Sequence, residues 1–366
     1  MQSAHPRIVV VAASLDILGG QGVQASSLVG ALARDGIPVE FLPINPVFPR
    51  GLRWIRRWPY LRTLVNQALY LPSLRRLRRA DIVHAFSASY TSFLLTAVPA
   101  MLLGRLMRRG VILHYHSGEA ADHLARWGVL VHPWLKLAHE IVVPSQYLAS
   151  IFAAHGHATR VIPNIVSLAR FRYRDRSSLR PRLVSTRNLE PHYRVDVILE
   201  AFARLKERLP EATLTVAGYG SEEARLKQMA TRGVRFVGRV EPAEMPFLYE
   251  FADVFVNASV VDNQPVSILE AFAAGLPVVS TPTGDIPALV RHGETGLLVP
   301  EDDPDALAAA VLTLIQSPLE AVEIARAARN EVRRFTWSAV RSRWRDVYTG
   351  AGNRDVARRA EVSSFR

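Results

Sequence analysis

Two carboxylates, Asp262 and Glu270, lie in the stretch FVNASVVDNQPVSILEAFAAGLPVVSTPT, residues 255–283. The stretch reads as strand, loop, short helix, strand. Asp262 falls in the loop. Glu270 is the one charge in a helix whose other residues are apolar or small, with Pro265 suited to its first turn and Gly275 to its stop. A helix with a single charge is buried on most sides, and a carboxylate there needs hydrogen-bond partners. The N–H groups of Val266 and Ser267, at the helix start, make a seat for an anion. This spacing therefore allows two acids to bind hydroxyls beside an anion site. A structural role is equally open at this point: Asp-Asn favours turns, and Glu270 could answer an arginine elsewhere.

Other candidates stand where strands end. Residues 7–13 form an apolar strand, followed by Gly19, Gly20 and Gly22 and a helix from about Val23 to Ala33. Strand, glycine turn and helix can cradle a phosphate, although GGQG is neither the dinucleotide spacing nor a P-loop, and tight-turn glycines without a ligand explain it equally. DIVHAFS (81–87) and GVILHYHSGE (110–119) read as strands with polar ends. Parallel strands bind ligands at their carboxyl ends, which nominates His84, His116, Ser117 and Glu119. His114 and His116 have metal-ligand spacing but no third ligand beside them, so a polar contact is the better reading of His116.

The chain has 366 residues, 49% of them hydrophobic, enough for two domains. With no cysteine, disulfides, thiolate metal sites and cysteine nucleophiles are excluded. The N-terminus reads as lacking a signal peptide, and no stretch reaches transmembrane length. The net charge of +12 is concentrated: twelve arginines lie between Glu40 and Glu119, against one acid, Asp81. Trp54, Trp58, Tyr60 and Tyr70 are interleaved with them across residues 48–79. Arginines with interfacial aromatics and aliphatics suit an anionic membrane surface. A solvated helical face is the plainer alternative, and no nucleic-acid motif accompanies the charge.

Strands and helices continue to alternate beyond a polar, basic and unpatterned stretch at 168–182, which reads as a linker. The second half contains RLVSTRN, ATLTVAGYGSEE, VRFVGRV and DVFVNAS as strands, and 195–210 as a helix stopped by Pro210. Asp303-Pro304-Asp305 superficially matches a metal-binding Asp-x-Asp but reads as a helix cap. This pattern implies an α/β protein with two doubly wound parallel sheets.

Taken in order, the motifs GGQGVQASSLVGALARDG, DIVHAFS, HYHSGE, VVPSQYLASIF, VIPNIVSLARF, RNLEPHYRVDVILEAFARL, LTVAGYGSEEARL, VRFVGRVEPAEMPFLYEFADVFVNAS, DNQPVSILEAFAAGLPVVST and GETGLLVPEDDPDALAAAV resemble glycosyltransferase family 4 over almost all of residues 7–348. The resemblance implies a GT-B fold: two Rossmann-like doubly wound domains facing across a cleft, with a C-terminal helix crossing back to the first. It implies an acceptor-binding domain at 1–167, a donor-binding domain at 168–335, the returning helix at 336–350 and a disordered tail at 351–366. It also implies a retaining enzyme that takes a nucleotide-sugar donor and needs no cofactor or metal. A nucleotide-sugar 2-epimerase shares the fold, and a non-catalytic sugar-nucleotide-binding relative is the other alternative.

The resemblance carries roles residue by residue. Glu270 would hold the donor ribose, and Asp262, where the family usually has Glu, would touch the transferred sugar. Backbone at Gln264, Val266 and Ser267 would hold sugar and phosphate. Gly20 and Gly22 would approach the phosphates, and Gly218 would join the donor site. Gly238, Arg239 and Val240 would lie near the base. His116 would contact the transferred sugar. Arg187 matches the family's phosphate-binding arginine. The usual lysine falls on Tyr193, with Arg194 beside it as a substitute cation. Pro265 stands where a glycine is usual, and Ala288 where Glu is frequent. The implied setting is cell-surface polysaccharide or glycolipid synthesis, with a sugar or lipid-linked acceptor, in the cytoplasm at the inner face of the plasma membrane. Segment 50–79 would touch anionic lipid, and nucleic acid is not expected as a partner.

Overall fold

The computed structural model describes residues 5–16 and 19–363. They form two units: the first reaches Pro163 and resumes at Arg341, and the second runs from Asn164 to Val340. Each is built on a six-stranded, all-parallel sheet.

The first sheet contains β1 (Ile8–Ala12), β2 (Val39–Pro43), β3 (Ile82–Ser87), β4 (Gly110–Tyr115), β5 (Glu140–Val143) and β6 (Arg160–Val161), in the order β2-β1-β3-β4-β5-β6. β1, β3 and β4 are buried along their whole length, as helix-covered parallel strands must be, so their sequences are nearly continuous apolar runs. The strand order reverses between β1 and β3. The helix after β1 begins at Gly20, three residues before the expected start. Val23 N–H already bonds the Gly19 carbonyl at 3.2 Å. Gly20 and Gly22 therefore lie inside the first helical turn, where N–H groups have no intrahelical partner to lose.

The basic, aromatic segment folds as a short 3-10 helix at Arg50–Arg57, an α-helix at Pro59–Ser73 and a second 3-10 helix at Leu74–Arg79. Ile55, Tyr70, Leu74 and Leu77 anchor it in the core, and the Tyr70 hydroxyl donates to the Thr96 carbonyl at 2.7 Å. Trp54, Trp58, Tyr60, Leu61, Leu64 and Leu71 remain exposed.

The second sheet contains β7 (Arg182–Ser185), β8 (Thr213–Ala217), β9 (Val234–Gly238), β10 (Val254–Val256), β11 (Val278–Ser280) and β12 (Leu297–Leu298), in the order β12-β11-β10-β7-β8-β9. Its order reverses between β7 and β10. In doubly wound sheets such a reversal opens a crevice beyond the strand ends.

Two readings of the sequence change here. The 168–182 stretch is built into the second unit rather than left as a linker: Arg174 and Arg182 pair with buried Asp253 at 2.5 and 2.6 Å. Arg176 is itself buried, and it donates to the carbonyls of Tyr249, Ala274 and Gly275 at 2.7–2.8 Å. Those arginines carry no hydrophobic period, which hid their core role. Nor is 351–366 a disordered tail as far as Ser363: the last helix runs from Trp337 to Ser363. Beyond Gly352 the run Ala357-Arg358-Arg359-Ala360-Glu361 consists of residue types that favour a helix. Residues 364–366 lie outside the described residues.

Candidate functional site

The second unit gathers its polar side chains at the β7–β10 reversal. Arg187 follows β7. Asp262 lies in the loop after β10, and Ser267 and Glu270 lie on the helix Val266–Ala274. The Arg187 guanidinium pairs with Asp262 and donates to Ser267 Oγ at 3.0 Å. Asp262 also accepts from Ser259 Oγ at 3.2 Å and from the Asn263 N–H at 2.9 Å. Its loop is pinned by Thr281 Oγ1 on the Ser259 carbonyl (2.6 Å) and Thr283 Oγ1 on the Val260 carbonyl (2.9 Å).

Two glycines bring these backbones close. A Cβ on Gly218 would stand 2.1 Å from the Arg187 carbonyl oxygen, and one on Gly284 would stand 2.0 Å from that of Asp262. Both glycines have positive φ, +148° and +58°, so a side chain is disfavoured twice over. Gly218 thus enters the site by supporting Arg187.

Glu270 is 7% exposed and has an identifiable partner, the Tyr249 hydroxyl, which donates to Oε2 at 3.0 Å. Tyr249 lies on the helix Met245–Phe251, is fully buried, and also meets Thr186 Oγ1 at 2.9 Å. Burial pushes the Glu270 carboxyl up to about 7, against the lowering effects of the Tyr249 hydrogen bond and the Arg170 charge. Burial likewise holds Tyr249 well above the ordinary phenol range, so it stays a donor. Glu270 is thus a buried acid poised between its two protonation states near neutral pH.

The remaining nominated residues of this unit divide. Gln264 is buried and bound within the chain: its Oε1 accepts from Asn164 N–H at 2.7 Å, and its carbonyl accepts from Asn164 Nδ2 at 2.8 Å. Val266 and Ser267 open the helix, where first-turn N–H groups lack intrahelical partners. Gly238 ends β9, and its carbonyl accepts from Gly218 N–H at 2.8 Å. Arg239 is exposed and pairs with Glu241 at 2.9 Å, and Val240 follows it, half-buried.

Arg194 does not join Arg187 as the substitute cation. It caps the helix Val195–Arg208 in a left-handed conformation (φ +47°) and pairs with Asp196 and Asp302. Two carboxylates already claim its charge. Tyr193 instead lies against Arg187, whose guanidinium carbon is 4.2 Å from the ring centroid. Tyr249, Thr186 and Ser259 are members of the cluster that sequence reasoning missed. The buried acid at 270 announced the need for a donor, but nothing local to the sequence named Tyr249.

The first unit places its nominees at the ends of β3 and β4. His84, His114 and His116 form a stack, with ring centroids 5.4 Å apart for the first two and 4.1 Å for the last two. Tyr348 and Trp344 of the last helix cover it. The Tyr348 hydroxyl meets His84 Nδ1 at 3.0 Å, and His84 Nε2 meets His114 Nδ1 at 3.3 Å. His114 Nε2 and His116 Nε2 are buried with no partner among the described residues. Burial lowers His84 and His116 to about 3 and His114 well below its usual range, so the stack is neutral at physiological pH.

Ser117 and Glu119 join Ser89, whose hydroxyl donates to Ser117 Oγ at 2.5 Å and approaches Glu119 Oε2 at 3.3 Å. Tyr90, at the turn after β3, takes a strained positive φ of 54°. Among the described residues no group of three or more His, Asp or Glu is arranged to hold a metal ion. Asp303 caps the helix Pro304–Gln316, accepting from Ala306 N–H at 2.8 Å.

Residues 18–170 match the family model described as Glycosyltransferase Family 4, and residues 180–317 match the one described as Glycosyl transferases group 1. The chain is 30% identical over 296 residues to a glycogen synthase of Mycobacterium tuberculosis, covering 75% of this chain and 69% of that protein. It is 27% identical to a phosphatidyl-myo-inositol mannosyltransferase of Mycobacterium leprae, with 73% of each covered. Among solved structures, the Anabaena protein HepE in complex with UDP and glucose matches with a TM-score of 0.72 at 19% identity, over 94% of this chain and all of that one. That likeness identifies the two parallel-sheet units as the GT-B fold.

Proposed function

This chain belongs to glycosyltransferase family 4, and we propose that it moves a sugar from a nucleoside-diphosphate donor to an acceptor hydroxyl with retention of configuration. The observation that carries the reading is the convergence of Arg187, Asp262, Ser267 and Glu270 at the strand reversal of the second unit. A buried carboxylate suits vicinal hydroxyls, and a guanidinium beside a helix start suits a diphosphate. In this reading Glu270 accepts from the donor ribose and Asp262 from the transferred sugar.

The leaving diphosphate gains negative charge as the glycosidic bond breaks. Arg187 and the first-turn N–H groups of Val266 and Ser267 are fixed before that happens, so they stabilise the charge without reorganisation. These groups supply the positive charge the leaving diphosphate needs. On the first unit, the neutral His116 ring, with its unpartnered Nε2, is assigned to a hydroxyl of the transferred sugar. HepE, crystallised with UDP and glucose, favours a sugar nucleotide as the first donor to try.

The test is a screen of UDP-, GDP- and ADP-sugars for transfer, with the product's anomeric configuration read by NMR. Glu270→Ala should lose about a hundredfold or more in kcat/KM while keeping the wild-type circular dichroism spectrum. A folded Glu270→Ala enzyme with full activity would refute the site. An epimerised sugar nucleotide without transfer would instead identify a 2-epimerase.

The acceptor is proposed to be lipid-linked, in cell-surface polysaccharide or glycolipid synthesis at the cytoplasmic face of the membrane. The exposed Trp54, Trp58, Tyr60, Leu61 and Leu64, set among arginines, support this reading. So does the mycobacterial relative named for phosphatidyl-myo-inositol. No single described helix is long and apolar enough to cross a bilayer. Vesicles containing phosphatidylserine should sediment the protein at low salt. Replacing Arg57, Arg62, Arg75 and Arg79 with Ser should release it, at about 1 kcal/mol per charge. Unchanged sedimentation would remove the membrane from the account.

A further inference from the structure

The cation that the donor reading assigns to the diphosphate is already occupied by an anion of the protein itself. Arg187 is 8% exposed and pairs with Asp262, so the two together carry no net charge. One guanidinium nitrogen donates to Ser267 Oγ at 3.0 Å, and the Tyr193 ring supports the group from 4.2 Å. The third nitrogen, Nε, is buried and bonds nothing among the described residues. A buried donor left unmade is costly, and here it belongs to a group otherwise held on all sides.

Two features leave this neutral pair without a second cation beside it. Tyr193 stands where the resemblance expects a lysine, and Arg194 is committed to Asp196 and Asp302. A diphosphate approaching this cluster therefore meets a neutral pair containing a carboxylate, and like charges at contact distance in a poorly hydrated site repel strongly. Both phosphate and carboxylate want the same guanidinium edge. The carboxylate can give way, because Ser259 Oγ and the Asn263 N–H already bind it at 3.2 and 2.9 Å.

We propose that Asp262 is a stand-in for the donor's diphosphate, and that donor binding exchanges partners. Arg187, held in plane by Tyr193 and Ser267, passes from Asp262 to the phosphates. The released carboxylate accepts from a hydroxyl of the transferred sugar. The inference rests on the donor-site reading above. It couples sugar recognition to diphosphate binding: a nucleoside diphosphate without its sugar displaces Asp262 but offers it no new donor.

The test is calorimetric titration of the full chain with UDP, GDP and ADP. It compares wild type, Asp262→Asn, Arg187→Gln and the double variant, each checked by thermal melting. Asp262→Asn should bind its preferred nucleoside diphosphate about tenfold more tightly than wild type, because the competing anion is gone. Arg187→Gln should bind it about tenfold more weakly, and the double variant should depart from the sum of the two single effects, because the two side chains act on the same phosphates. Asp262→Ser carries the same expectation as Asp262→Asn and replaces it if that variant melts early. Asp262→Glu keeps the charge and should bind no more tightly than wild type.

If Asp262→Asn binds equally or more weakly while Arg187→Gln still weakens binding, the exchange is overturned and the donor site stands. If no diphosphate binds wild type or Asp262→Asn, both readings fall.

Discussion

Each sheet ends its central strands in a buried polar cluster, and the two clusters are built in opposite ways. The second unit holds ions: Arg187 against Asp262, and Glu270 raised to about 7 beside Tyr249. The first unit holds rings: His84, His114 and His116 are all kept neutral by burial, and a hydrogen-bonded chain runs from the phenol of Tyr348 through His84 to His114. An ionic cluster can bind a charged diphosphate by exchanging one partner for another. A neutral stack has no charge to offer and suits hydroxyls. Under the proposed function, the difference would divide the labour between a charged donor and an uncharged sugar.

The contrast extends to pH, and the largest expected effect lies in the first unit. A histidine buried neutral has a lowered folded pKa, so it favours the folded state above its ordinary value of 6.5. That contribution is lost as pH falls from 6.5 toward 3. His84 and His116 together amount to several kcal/mol, each tenfold change in proton affinity being about 1.4 kcal/mol. Hydrogen exchange of β3 and β4 should therefore accelerate between pH 6.5 and 4. Protection that stays constant across that range would mean the stack is charged or open to water.

The second unit should move the other way. Glu270 has a raised folded pKa, so folding holds its proton more tightly than the unfolded chain does. Stability is then highest below 4.5 for this group and declines as pH rises through 7. The full span is about 3 kcal/mol. Glu270→Gln should flatten this decline in the exchange of Val266–Ala274. An equally steep decline in that variant would assign the titration to another group.

The smallest effect probes the hydrogen-bonded chain through the stack. Tyr348→Phe removes the hydroxyl that meets His84 Nδ1 and should cost about 1 kcal/mol of stability. The change is confined to the first unit, so nucleoside diphosphate affinity measured by calorimetry should stay at the wild-type value. A marked loss of that affinity would show that the two clusters are not independent.

The strands were legible because burial on both faces demands continuous apolar runs such as IVVVA and GVILHY. Asp262, Glu270 and Arg187 were legible as candidates because acids and an arginine stand out against apolar surroundings and sit at strand and helix ends. Tyr249 was not, since an aromatic in a helix reads as core until its hydroxyl is seen on Glu270 Oε2. The clamp of Arg176 on the carbonyls of Tyr249 and Gly275 was hidden for a related reason: its bonds reach carbonyls 73 and 99 residues away.

Sequence by itself determined the two doubly wound sheets, the family and the position of the acidic stretch, because these follow from local periodicity and motif order. Tertiary structure alone decided which partner each ion takes. Arg187 goes to Asp262 and Arg194 to Asp196 and Asp302, although both arginines stood as candidates for one role. The reason is physical. Hydrophobic pattern is a property of neighbours along the chain, whereas the pairing of a buried charge depends on which opposite charge and which donors the fold brings within hydrogen-bonding distance.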